Sequence, residues 1–76
     1  MNMVIEKVLV FKTTVHDKSQ ISLLKPHLNK IVENGIWDFD LEDCDKILRI
    51  ESISQISNSV ISILNQNGFE CVELVE

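Results

Sequence analysis

Glu33 to Leu41 reads ENGIWDFDL, and Gln66 to Leu74 reads QNGFECVEL. Aligned on Asn-Gly and the apolar residue that follows, the stretches continue with Phe39 and Leu41 in one copy and Val72 and Leu74 in the other. Each is a turn signal followed by a strand. In the first copy Trp37, Phe39 and Leu41 fall on one side and Asp38 and Asp40 on the other, the alternation of a half-buried strand. The alignment puts Cys71 in the place of Asp38, facing away from the helices. A slip of one residue would instead turn it inward as a small apolar filler.

A helix precedes each copy. Ile21, Leu24, Leu28 and Ile31 recur at spacings of three, four and three, one stripe of an amphipathic helix that Gly35 should end. Pro26 lies inside that stripe, where it removes a hydrogen bond and presses on the carbonyl of Ser22, so a kink or a late regular start is expected. Ile53, Ile56, Val60 and Ile63 repeat the same spacing, widened by Leu64, with Gly68 as the stop. Ser52 and Gln55 have the spacing of a capping box at its start.

Two further strands complete the pattern. Met3 to Thr13, MVIEKVLVFKT, is rich in β-branched residues, and Val8 to Phe11 is apolar on both faces, as in the centre of a sheet. KILRIE, from Lys46 to Glu51, returns from IWDFDL through the turn EDCDK. The order is strand, helix, strand, strand, helix, strand. Two interleaved strand-helix-strand halves with right-handed crossovers make an α+β, ferredoxin-like βαββαβ sandwich, a four-stranded antiparallel sheet with both helices on one face. Three connections then meet at one end of the sheet: Val15–Lys18, Glu42–Asp45 and Asn67–Gly68.

The 76 residues fit one domain, spanning 1–76, with no linker or low-complexity segment. Apolar residues make up 45% and charged ones 25%, a globular composition. A net charge of −5 and a pI near 4.8 argue against binding nucleic acid or anionic lipid, which need clustered Lys and Arg. No segment has the length of a membrane span, and the first residues do not resemble a secretory leader, so a cytoplasmic location is expected. Cys44 and Cys71 are then expected as reduced, unpaired thiols. Composition and motifs assign no oligomeric state.

With these elements placed, the chain resembles the heavy-metal-associated, copper-chaperone-like domains over nearly its whole length. The helix stripe, GIWDFDLEDCDKILRI and the late NGF are similar to that family's hairpin and C-terminal patterns. The family's Met-x-Cys-x-x-Cys motif falls on Val15, His16, Asp17, Lys18, Ser19 and Gln20, with two extra residues before Gly35. Val15 can pack as the methionine would, while Asp17 and Gln20 stand where the two cysteines would be. Those residue types make a helix start, Asp17 accepting from a backbone N–H near Gln20 and the Gln20 amide reaching back. A carboxylate and an amide do not suit a soft Cu(I) ion.

His16, Asp17 and Cys44, with Asp43 and Asp45 nearby, should all lie at the loop end and form a conceivable zinc or copper set, though no pair has a recognised ligand spacing. His27 reads as a surface residue. No catalytic residue is identified, because no Ser or Cys has a base partner, the clustered acids lie on an open turn, and two glycines make no phosphate cradle. No cofactor is implied. The favoured reading is a non-catalytic interaction module without the metal-binding cysteine pair. It would dock a protein partner at the loop end or at the open sheet face bearing Asp38, Asp40, Arg49 and Glu51, and its acidic loops would suit a basic partner. The alternatives are a divergent metal carrier using His16, Asp17 and Cys44 and, more remotely, a ligand-sensing module of the kind that binds amino acids.

Overall fold

Alternation along the first apolar run separates the two faces of the sheet. In a computed structural model that describes residues 7–32, 35–42, 44–52 and 55–74, Lys7–Thr13 forms β1, with Leu9, Phe11 and Thr13 buried and Val8 and Lys12 exposed. The remaining elements are α1 (Lys18–Ile31), β2 (Ile36–Asp40), β3 (Ile47–Ser52), α2 (Ser57–Gln66) and β4 (Cys71–Glu73). The sheet order is β2-β3-β1-β4 and every pair is antiparallel, the expected ferredoxin-like arrangement. The segment of the first expected strand before Lys7 lies outside the described residues, as do Asp43 and Ile53.

One sheet face, with Leu9, Phe11, Leu48 and Ile50, packs with Leu24 and Leu28 of α1 and Val60 and Leu64 of α2 in a single cluster. Phe11, Leu24, Leu28, Leu48, Ile50 and Leu64 are fully buried, so truncating any of the leucines to alanine should cost about 2–5 kcal/mol. In α1 the expected stripe holds, Leu24 and Leu28 at its centre and Ile21 and Ile31 half-buried at its flanks. The helix begins at Lys18 and runs through Pro26, so it does not start late. Pro26 and Ser22 are both exposed, on the side where water can serve a carbonyl that has lost its donor.

Three details differ from expectation. Gly35 does not cap α1, whose C-cap is Val32, with its N–H donating to the Leu28 carbonyl at 2.8 Å. Ser52 does not open α2; it pairs with Lys7 as the buried last residue of β3, and α2 starts at Ser57 with Ile56 as N-cap and no side-chain cap. Strand pairing thus overrides the Ser52–Gln55 spacing, and the Gln55 amide donates instead to the Ser57 hydroxyl.

The third difference is the facing of β4. Cys71 is buried and Val72 is 58% exposed, the reverse of the repeat alignment. The cause lies in the end of α2. Gly68 takes φ of 90°, its N–H donates to the Asn65 carbonyl, and the Phe69 N–H donates to the Leu64 carbonyl, a Schellman motif in which Phe69 belongs to the cap and packs inward. Alternation from Phe69 puts Cys71 inside and Val72 outside. After Gly35 the first apolar residue, Ile36, is instead exposed and Trp37 turns in.

Candidate functional site

The three connections expected at one end of the sheet are tied together there. Thr13, at the end of β1, donates its hydroxyl to the Lys46 carbonyl at 2.7 Å and accepts from the Val15 N–H at 3.2 Å. Its own N–H donates to the Asp45 carbonyl. Thr14 meets the chain entering β4 twice: its N–H donates to the Glu70 carbonyl at 3.2 Å, and its hydroxyl accepts from the Glu70 N–H at 2.9 Å. Lys46 takes φ of 51°, and its ammonium donates to the Leu41 carbonyl.

At the entrance of α1, Asp17 Oδ1 accepts from the Gln20 N–H at 2.9 Å and from the Ser19 hydroxyl at 2.6 Å. The Gln20 side chain reaches back as expected, but to the His16 N–H, one residue before the cap, at 2.8 Å. The Ser19 hydroxyl, then the Gln20 N–H and the nearby His16 ring hold the exposed Asp17 carboxyl below its usual pKa. Asp17 and Gln20 are therefore both engaged at the helix entrance, Asp17 as its cap.

His16 Nε2 lies 3.6 Å from Asp17 Oδ2, while Nδ1 approaches the Thr14 carbonyl at 3.4 Å. Cys44 is an exposed thiol in the β2–β3 turn. Asp45 lies 3.7 Å from the Lys12 ammonium. Among the described residues, no group of three or more His, Cys, Asp and Glu side chains is placed to hold a metal ion, so His16, Asp17 and Cys44 do not come together as a ligand set. Asp43 is outside the described residues. His27 is exposed on α1. The Cys71 thiol, 7% exposed, is pushed up to about 11 by burial and by the neighbouring Glu73.

The sheet face opposite the helices is built from three rows across the strands: Ile36, Glu51 and Val8; Asp38, Arg49 and Val10; Asp40, Ile47 and Lys12. Val72 pairs with Lys12 beyond β1, and the Leu74 N–H donates to the Val10 carbonyl at 2.8 Å. The β1–β4 half is thus mostly aliphatic and the β2–β3 half mostly charged. Val8, Ile36, Val72 and Leu74 all lie on this face and are exposed; Leu23 on α1 is the other exposed large apolar residue among the described residues. A hollow of about 340 Å³ is lined by Val10, Asp38, Phe39, Asp40, Ile47 and Arg49. Sequence reading placed the charges here and missed Val72 and Leu74, because the repeat alignment turned β4 over.

No helix among the described residues is long and apolar enough to cross a membrane. No protein-family model matches the chain, and comparison with curated proteins and with solved structures gives no match.

Proposed function

We propose that this chain is a non-catalytic interaction module, a relative in pattern of the heavy-metal-associated domains whose helix entrance caps rather than grips, and that it docks a protein partner through its open sheet face. The observation carrying this reading is the gathering of Val8, Ile36, Val72 and Leu74 on the one face that the helices leave uncovered. Scattered exposed aliphatics are ordinary on a protein surface, but Val8, Val72 and Leu74 adjoin one another around Val10, with Ile36 set apart beyond Glu51, and an adjoining set rimmed by charges marks a contact site.

Affinity capture from a lysate tests the proposal when the wild type is compared with Val72→Lys on the face and His16→Ala at the loop end. Docking through the face predicts a bound protein retained by His16→Ala and lost with Val72→Lys. Retention by Val72→Lys and loss with His16→Ala would move the docking site to the loop end and overturn this choice of surface. A strictly monomeric chain that captures nothing would overturn the module reading itself.

A further inference from the structure

We infer that the occupant of the open face is a short basic-apolar segment of the partner, with a lysine or arginine seated in the hollow and its apolar neighbours lying against Val72 and Leu74. This rests on the docking reading above and adds the partner's chemistry. The charges on the hollow are unequal. Asp38 and Asp40 are successive outward residues of β2, and among the described residues lining the hollow Arg49 is the cation. Arg49 lies directly across from Asp38 and can compensate that carboxylate, whereas Asp40 lies across from Ile47. The Glu42 N–H donates to one oxygen of Asp40 at 3.1 Å, and Asp40 lines the hollow. Glu51 adds another acid one row away.

Below those acids the lining is apolar. Val10 and Ile47, outward residues of β1 and β3, offer a surface for the methylene stem of a long basic side chain, whose charged head then reaches the acids. The chain's net charge of −5 draws a basic segment toward the surface before contact.

A second copy of the chain is a poor occupant. It carries the same −5. Four strands of three to seven residues at about 4.8 Å spacing give a face of roughly 350 Å², less than half of the ~800 Å² per partner of a standard interface. The same dimensions admit an extended segment of about six residues.

The probe is the tripeptide acetyl-Leu-Lys-Leu-amide, with acetyl-Leu-Glu-Leu-amide as its opposite, titrated into the isotopically labelled whole chain at low salt while backbone amide resonances are followed. The lysine peptide should give saturable shifts centred on Val10, Asp38, Asp40, Ile47 and Val72. Asp38→Asn with Asp40→Asn, both exposed substitutions, should weaken it about threefold to tenfold, and Val72→Thr should weaken it while leaving the preference for lysine. A glutamate peptide that binds equally or better, or lysine-peptide shifts indifferent to the two asparagines, overturns the inference. Silence from the lysine peptide beside a lysate capture that still depends on Val72 overturns the inference alone. Capture indifferent to Val72 overturns the docking reading, and the inference with it.

Discussion

A Cβ added at Gly35 would stand 2.3 Å from the carbonyl oxygen of Glu51 and 3.0 Å from Val32 Cγ1. The start of β2 lies against β3 there, Ile36 pairing with Glu51, and the contact is with backbone, which cannot rotate away. Gly68 is the opposite case: open space around its Cβ position and φ of 90°. Gly35→Ala should cost about 1–3 kcal/mol through displaced backbone, and Gly68→Ala about 1–2 kcal/mol through left-handed conformation alone. Gly68→Asn should recover part of the second loss and Gly35→Asn none of the first. Urea unfolding of the four variants checks this; recovery by asparagine at position 35 would show that crowding is not what requires glycine there.

The cap at α1 makes a pH-dependent prediction. Asp17 is held below its usual pKa by the Ser19 hydroxyl, the Gln20 N–H and His16. Its contribution is therefore complete above the unfolded carboxylate value, about 3.9, and is lost as pH falls through the lower folded value. Asp17→Ala should lower the midpoint of thermal unfolding by a few degrees at pH 7. Asp17→Asn keeps an acceptor for the Gln20 N–H, so it should be milder at pH 7 and should lack the acid-side loss that this carboxylate gives the wild type. Melting curves from pH 2 to 7 decide it; identical acid limbs for the wild type and Asp17→Asn would contradict the assignment.

The features legible in the sequence were those with a local cause. Asp17 and Gln20 announce a helix start because both partners of a cap lie within one turn, and the Leu24–Leu28 spacing announces the buried side of α1 without reference to the sheet. The hidden features depended on what an element meets. Ser52 has capping chemistry, yet pairing with Lys7 keeps it in β3. Asn-Gly before Ile36 and before Phe69 looks like one signal used twice, but the first glycine makes room for a carbonyl while the second ends a helix in left-handed geometry. That difference moved β4 by one residue and put Val72 beside Lys12 on the open face. A sheet face assembled from four strands cannot be recognised until every register is known.

The two thiols should differ sharply in reactivity. Cys44 is exposed, whereas Cys71 is buried and its ionisation is pushed up to about 11. A disulfide reagent at pH 7.5 should label Cys44 promptly and Cys71 only as fast as the chain opens. The raised value also sets the sign of a stability trend. Below about pH 8.5, where the thiol is protonated in the folded and unfolded chain alike, the contribution is complete; it declines as pH rises toward 11, because the unfolded thiol ionises first. Cys71→Ala should flatten that alkaline decline relative to the wild type. Equal labelling rates for both cysteines in the folded chain would refute the burial of Cys71.

Thr13 joins β1 to two connections through one hydroxyl, donating to the Lys46 carbonyl and accepting from the Val15 N–H. It is buried, so Thr13→Val keeps the shape of the side chain and leaves both backbone groups without that partner. The cost should be about 1–3 kcal/mol. Hydrogen exchange should speed up at Val15 first, since its N–H is the group released. Uniform acceleration across the sheet with no excess at Val15 would mean that the hydroxyl does not hold this junction.

Zinc titration separates the module from a metal carrier. A carrier built on His16, Asp17 and Cys44 would require imidazole and thiol to converge on one ion, and it would break the cap, since Asp17 Oδ1 already accepts from the Gln20 N–H and the Ser19 hydroxyl. Added to the reduced chain, one equivalent of zinc should therefore leave the Gln20 amide resonance in place and produce only weak, non-saturating shifts at the His16 ring. His16→Ala and Cys44→Ser should each leave the midpoint of thermal unfolding within about one degree of the wild type, with zinc or without it, because both side chains are exposed. Saturation at one equivalent, a zinc-dependent rise in that midpoint and loss of both in either variant would show that a metal pulls the helix entrance and the hairpin turn together. In that case the cap would be the resting form of a metal site and the chain a carrier.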